Sequence, residues 1–323
     1  MFKYMAKSGI LSRRRYETVV LIAVIIAVTA FTCLASDKGI KQEKFKSPEA
    51  AFSALIQATK TNDTAELLAI FGPDGKDIIS SGDAVADSIA RECFAKAAGE
   101  GVKFSKLDDN TVLPVIGKDA CSFPIPIVKS GQEWVFSTEE GKQEILNRRI
   151  GKNELNTIQF SLHYVDAQRE YAGKDRDGSG VLQYAQRFKS HKDKKDGLFW
   201  VAALGEEESP LGPLVAHAAE EGYTPHKPSE KRVPYHGYYF NILKSQGSNV
   251  PGGAMDYVVN GKMTAGFGLQ AYPAQYGVSG IMTFVVNQQG IVYEKDLGSG
   301  TEGAAKAITK YDPDNTWQKV KLQ

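Results

Sequence analysis

Apolar positions early in the body of the chain recur at helical spacing. Ser47-Pro48-Glu49 supplies a cap, a proline at the first helical position and an acid beside the positive end of the helix dipole. Phe52, Leu55, Ile56 and Thr59 then share one face. Asn62-Asp63-Thr64 breaks and recaps the chain ahead of a short helix carrying Leu67, Leu68, Ile70 and Phe71, which Gly72-Pro73 stops. A third helix is predicted over residues 83–98. The period then changes to alternation, and short strands are predicted over 102–107, 111–116, 120–128 and 133–137. Pro124 and Pro126 remove ladder donors, so the third of these is an edge or ends its sheet.

The next pattern organises the remainder. Over residues 153–172, Leu155, Ile158, Leu162 and Val165 fall on one helical face, and Phe160, Tyr164, Ala167 and Tyr171 on another. A helix apolar on two faces is packed between two layers, which places it at a domain seam. Helices are further predicted over 181–188, from the Ser209-Pro210-Leu211-Gly212-Pro213 stretch through His217, and over 302–309. An antiparallel set of strands is predicted over 237–243, 255–259, 264–272, 280–287 and 291–297, with Gln288-Gln289-Gly290 as a hairpin turn. The class is α+β: a helices-then-meander domain over 47–150, then a long helix with an antiparallel sheet over 151–323.

The first 35 residues are of different material. Lys3, Lys7, Arg13, Arg14 and Arg15 precede an apolar run from Val19 to Ala35, the pattern of a cleaved export signal or of an N-terminal membrane anchor. Either places the body outside the cytoplasm, in the periplasm or at the outer face of the membrane, behind a polar linker over 36–46. A composition of 42% hydrophobic and 24% charged residues excludes wholesale disorder, and a formal net charge of +1 gives no basic excess for nucleic acid. Cys93 follows Val85 and Ile89 at helical spacing, and Cys121 alternates with Phe123, Ile125 and Ile127. Both point to a core, as a disulfide in an oxidising compartment or as two separate buried thiols.

Two resemblances follow from these stretches. SPEAAFSALIQATKTNDTAELLAIFGPDG (47–75), FPIPIVK (123–129), DAQREYA (166–172), PYHGYYFNIL (234–243) and YGVSGIMTFVVNQQGIVYEKDLG (276–298) together resemble an uncharacterised bacterial family, the domain of unknown function family 2950. That family brings no activity and no catalytic residues. From Asn153 onward, the helix, a D-x-D-G turn and the sheet ending GIMTFVVNQQGIVY are similar to type IV pilin and pseudopilin head domains. The chain between Ala35 and Asn153 departs from the pilin pattern, in which the apolar segment runs directly into the long helix.

Candidate chemistry is sparse. Asp175, Asp177 and Ser179 occupy positions one, three and five of a calcium-loop pattern, with Gly180 at six and the Val181 carbonyl at seven. Gln186 stands where a bidentate glutamate belongs, and an Asx-type turn explains the same residues. Gly298, Gly300 and Gly303 fit G-x-G-x-x-G, but the chain ends before the parallel strand and acid a dinucleotide site needs. His163 has Asp166 at i+3, His217 lies near Glu220 and Glu221, and His236, flanked by tyrosines, is the candidate ligand-binding or base residue. No catalytic set is visible. The expectation is a non-catalytic envelope module that binds an envelope protein or surface polymer. The alternative is a periplasmic hydrolase with a site at the seam.

Overall fold

In the computed structural model, which describes residues 41–224 and 232–321, the Ser47 hydroxyl accepts the Ala50 N–H and starts α1 (Pro48–Lys60). Asp63 does the same for α2 (Thr64–Phe71) through the Glu66 N–H at 3.0 Å. Gly72, at φ +71°, ends that helix in a conformation only glycine adopts freely. A single turn, α3 (Lys76–Ile79), and α4 (Ala84–Gly99) complete the helical layer. The segment read as a signal or anchor lies outside the described residues. Among those described, no helix is long and apolar enough to cross a membrane.

The meander forms β1 (Val102–Lys106), β2 (Thr111–Ile116), β3 (Cys121–Ser122), β4 (Ile127–Ser130) and β5 (Glu133–Phe136), ordered β1-β2-β4-β5 with β3 also against β2. The expected strand over 120–128 is therefore two strands. Neither Pro124 nor Pro126 can donate to a ladder, so the chain leaves the sheet between them and drives Ile125 fully into the core. Phe52 packs edge-on to Phe94, Phe104 and Phe123 at ring separations of 5.6–6.0 Å, filling the space between helices and sheet.

The long helix, α5 (Thr138–Ala172), has 35 residues and starts well before Asn153. The domain boundary drawn near residue 150 falls inside it. Its first half buries Leu146 and Ile150 in the N-terminal core; its second half buries Tyr164, Val165, Ala167 and Tyr171 in the C-terminal core. At Gly141 the helix passes so close to the proline bulge that a Cβ would lie 2.6 Å from both Ile125 Cα and Pro124 O. The two-faced apolar pattern needs correction. Leu155 is 63% exposed, and the buried stripe runs through Asn153, Thr157, Ser161, Tyr164 and Gln168. The helix meets its neighbours there through small polar groups as well as apolar ones.

After α5 an irregular stretch leads to α6 (Gly212–Glu220). No helix forms over 181–188. That segment is irregular, and Tyr184 makes an antiparallel bridge to Met263. The chain then forms β6 (Tyr238–Leu243), β7 (Ser245–Gln246), β8 (Met255–Asp256), β9 (Val258–Val259), β10 (Lys262–Met263), β11 (Gly268–Pro273), β12 (Met282–Asn287), β13 (Tyr293–Asp296), α7 (Thr301–Ala307) and β14 (Gln318–Lys319). The principal sheet is antiparallel in the order β14-β13-β12-β11-β6, with β7·β8 and β9·β10 as two-stranded ribbons. At the expected hairpin, the Gly290 N–H donates to Asn287 O at 2.9 Å. Both faces of this sheet are covered. The face carrying Leu269, Phe284 and Val286 belongs to the core shared with α5, while Leu243 and Val285 pack on Tyr311. The fold is α+β, with two main cores joined by one helix.

The cysteines correct their expectation. Cys93 and Cys121 are free and exposed, neither paired nor in a core. Cys93 does lie on the same side of α4 as Val85 and Ile89, but those residues are themselves only half buried. Cys121 sits on the two-residue strand β3, both of whose residues are exposed.

Candidate functional site

Through Ala86, Ile89, Ala90 and Phe94, α4 lines a cleft of about 630 Å³. Its apolar wall includes Leu55, Leu67, Phe71, Ile79, Phe94 and Phe123, contributed by α1 to α4 and the proline bulge. Facing it, α5 supplies Arg149, Lys152, Asn156, Gln159 and His163. Their spacings of three and four place them on one helical face, a polar track opposite the apolar wall. His217, Glu221, Tyr235 and His236 close one end. Among the described residues three histidines, His163, His217 and His236, therefore line one cavity.

His236 is held there by its backbone. It takes φ +48°, uncommon for a residue with a side chain. Asp83, fully buried, fixes that turn: it accepts the Gly237 N–H and the Tyr223 hydroxyl, each at 2.9 Å, and caps α4 through the Ala86 N–H at 3.1 Å. Tyr223 Oη in turn accepts the His236 N–H at 3.2 Å. Gly237 has no room for a side chain, because a Cβ would meet Asn153 Nδ2 at 2.6 Å. The imidazole lies 4.2 Å from the Tyr235 ring centre, and its Nε2 is 3.2 Å from Glu221, whose same oxygen is 3.7 Å from His217 Nδ1.

Burial pushes the His236 pKa below its ordinary value, and the nearby Glu221 and Asp83 only partly oppose this. The folded state therefore prefers the neutral ring. Once the pH falls below about 6.5 the unfolded chain takes up a proton the folded chain resists, so stability is lost on acidification. Urea unfolding between pH 8 and pH 5 is expected to show this loss, limited to about 1.4 kcal/mol per pH unit for one proton. His236→Asn tolerates the left-handed backbone and is expected to flatten that part of the profile. An unchanged slope would assign the acid sensitivity to another group.

At the other end the cleft is cationic. Arg149 donates to Asp77 O at 2.5 Å and to Ile78 O; Arg91 donates to Ile79 O at 2.6 Å and to Asn62 Oδ1. Two guanidiniums thus cap the carbonyl end of α3. Asp87, which accepts the Ser81 N–H with both oxygens at 3.0 and 3.2 Å, is the acid of the cleft lining nearest them. Burial works against the charge of Arg149, and Asp87 and Asp77 offset it in part.

The other candidates lie elsewhere. The Asp175 carboxylate accepts the Ser179 and Gly180 N–H groups at 3.2 and 2.7 Å. Asp177 accepts the Ser179 N–H at 3.1 Å and the Gln183 side-chain amide at 2.8 Å. The Lys262 ammonium reaches Asp177 at 3.4 Å and donates to the Ser179 hydroxyl, two of the side chains that the calcium-loop pattern assigns as ligands. Gln186 donates to Gly261 O, and Val181 is exposed. The loop is thus closed as an Asx-type turn with a lysine across it. Among the described residues no group of three or more His, Cys, Asp or Glu side chains is arranged to hold a metal ion. Asp166 pairs with Arg169 at 3.3 Å rather than with His163.

These features define a class: an α+β protein with two cores on one through-going helix and a cleft beside its first half. A family model described as "Protein of unknown function (DUF2950)" matches residues 42–320. The chain belongs to that family. No curated protein and no solved structure matches it. The similarity to pilin heads therefore finds no support, and α5 differs from that scheme by beginning within the N-terminal core.

Proposed function

We propose that the protein is an exported, non-catalytic binding module that holds a small, largely apolar molecule in the cleft between α4 and α5. The observation that carries this reading is the cavity itself. At about 630 Å³ it lies within the usual range for small-molecule sites, with one apolar wall and one polar track. Export is supported by the basic residues from Lys3 to Arg15 and the apolar run that follows. Engagement of an envelope protein or surface polymer is a further part of this reading, to be sought by pull-down from envelope extracts.

The test uses a neutral environment-sensitive dye, N-phenyl-1-naphthylamine. Its fluorescence is expected to rise saturably with about one site per chain. Ala90 lies on α4 in the cleft wall and faces solvent. Ala90→Trp fills the cleft and is expected to weaken dye binding at least tenfold with little change in melting temperature. Dye binding that ignores the substitution would remove the proposal.

One contact favours a second reading, a hydrolase with His236 as general base: its approach to Glu221 at 3.2 Å. Of the aliphatic hydroxyls in the cleft lining, Thr59 donates to Leu55 O and Ile56 O, and Ser81 is buried and accepts the Asp83 N–H. Water would then have to be the nucleophile. Ester hydrolysis abolished by His236→Asn would establish this reading.

A further inference from the structure

We infer that the ligand of this cleft is an amphiphilic carboxylate, its apolar body on the α1–α4 wall and its carboxylate at Arg149, Arg91 and Lys152. The inference rests on the cleft being a binding site and adds the chemical class of its occupant. The two guanidiniums approach from opposite sides, Arg91 on α4 and Arg149 on α5, and the carbonyls of Asp77, Ile78 and Ile79 at the end of α3 fix both. Each has five N–H donors and spends two on these contacts and Asn62. The Nε of each makes none of these bonds and is not buried without a partner, so it is open to the cleft or to solvent. Planar forks held this way suit a carboxylate, which takes two parallel hydrogen bonds.

The charge balance points the same way. Arg148 is neutralised by Glu144 at 2.6 Å, and Asp77 by Lys142 at 2.9 Å. Asp87 is then left to balance Arg91 and Arg149, while Lys152, one turn beyond Arg149, has no partner among the described residues. The remaining acid of the lining, Glu221, lies beside His217 and His236 instead. A half-buried cationic end joined to an apolar wall is complementary to an anionic head on an apolar body. A cationic or purely neutral amphiphile would leave the guanidiniums uncompensated.

The experiment displaces bound N-phenyl-1-naphthylamine from the full chain with decanoate, decanol and decyltrimethylammonium, which share an alkyl length and differ in charge. Decanoate is expected to displace the dye at least tenfold more effectively than decanol, and the cation least effectively. Arg149 supports α3, so the test variant is the exposed Lys152→Glu, which leaves those contacts in place. It is expected to weaken decanoate by about tenfold and leave decanol unchanged. Equal displacement by decanoate and decanol, or equal effects of Lys152→Glu on both, would overturn the carboxylate inference while leaving the cleft as a binding site. Failure of the dye to bind at all would remove both.

Discussion

Replacing Asp83 by alanine is expected to destabilise the protein by about 3–5 kcal/mol, because one carboxylate completes three separate pieces of structure. Loss of a helix cap alone costs roughly 0.5–2 kcal/mol. Asp83 also accepts the buried Gly237 N–H and the Tyr223 hydroxyl, and hydrogen bonds to charged groups contribute roughly 1.5–3 kcal/mol each. The sum is not additive, since the contacts share an acceptor and removing the charge relieves its own burial. Two controls apportion the effect. Tyr223→Phe removes one of the three bonds and is expected to cost about 1 kcal/mol. Asp83→Asn keeps one carbonyl oxygen for the Ala86 N–H but turns an amide donor towards the Gly237 N–H, which cannot reorient; its cost should fall between the other two. Urea denaturation midpoints for the three variants, with the exchange rate of the Gly237 amide, give the measurement. An Asp83→Ala cost equal to that of Tyr223→Phe would show that neither the cap nor the Gly237 bond contributes.

That carboxylate also shows where the sequence stops being legible. As the cap of α4 it follows a local rule, as do Ser47 for α1 and Asp63 for α2, and all three helix starts can be read along the chain. The alternating runs that become β6, β12 and β13, and the turn at Gly290, are local in the same sense. Its second task is not, because Gly237 lies 154 residues away and nothing near Asp83 announces it. His236 stood out by its tyrosine neighbours, whereas its meeting with Glu221 depends on how α6 is laid against α5 and β6. The early start of α5 was hidden by the charged residues 139–149 and by Gly151, although Leu146 and Ile150 already kept a helical spacing. The cysteines failed for a different reason. Periodicity identifies a shared face, but Val85 and Ile89 on that face of α4 are only half buried, and Cys121 lies on a two-residue strand that is exposed throughout.

The buried polar stripe of α5 supports the second large effect, at Gln168. This side chain is fully buried, and its amide makes a two-point contact with one residue of the irregular stretch: Nε2 donates to Ala185 O and Oε1 accepts the Ala185 N–H, both at 2.8 Å. Nε2 also donates to the Tyr164 hydroxyl at 2.9 Å, which itself donates to Gly268 O on β11. The amide replaces the ladder hydrogen bonds that residue 185 lacks, and so substitutes for the helix the local pattern predicted over 181–188. Gln168→Leu keeps the volume but leaves a backbone N–H and a carbonyl buried without partners. At roughly 1–3 kcal/mol for each orphaned group the expected loss is about 3–5 kcal/mol. Tyr164→Phe, which removes only the hydroxyl, is expected to cost about 1 kcal/mol, and the double variant should cost less than the sum because the two share a bond. Hydrogen exchange locates the effect. In Gln168→Leu, protection should collapse at the amides of Ala185 and of Tyr184, which bonds Met263 O, while the α1–α4 amides keep theirs. A uniform fall in protection over both cores would instead mean that α5 transmits the loss along its whole length and that the protein unfolds as one cooperative unit.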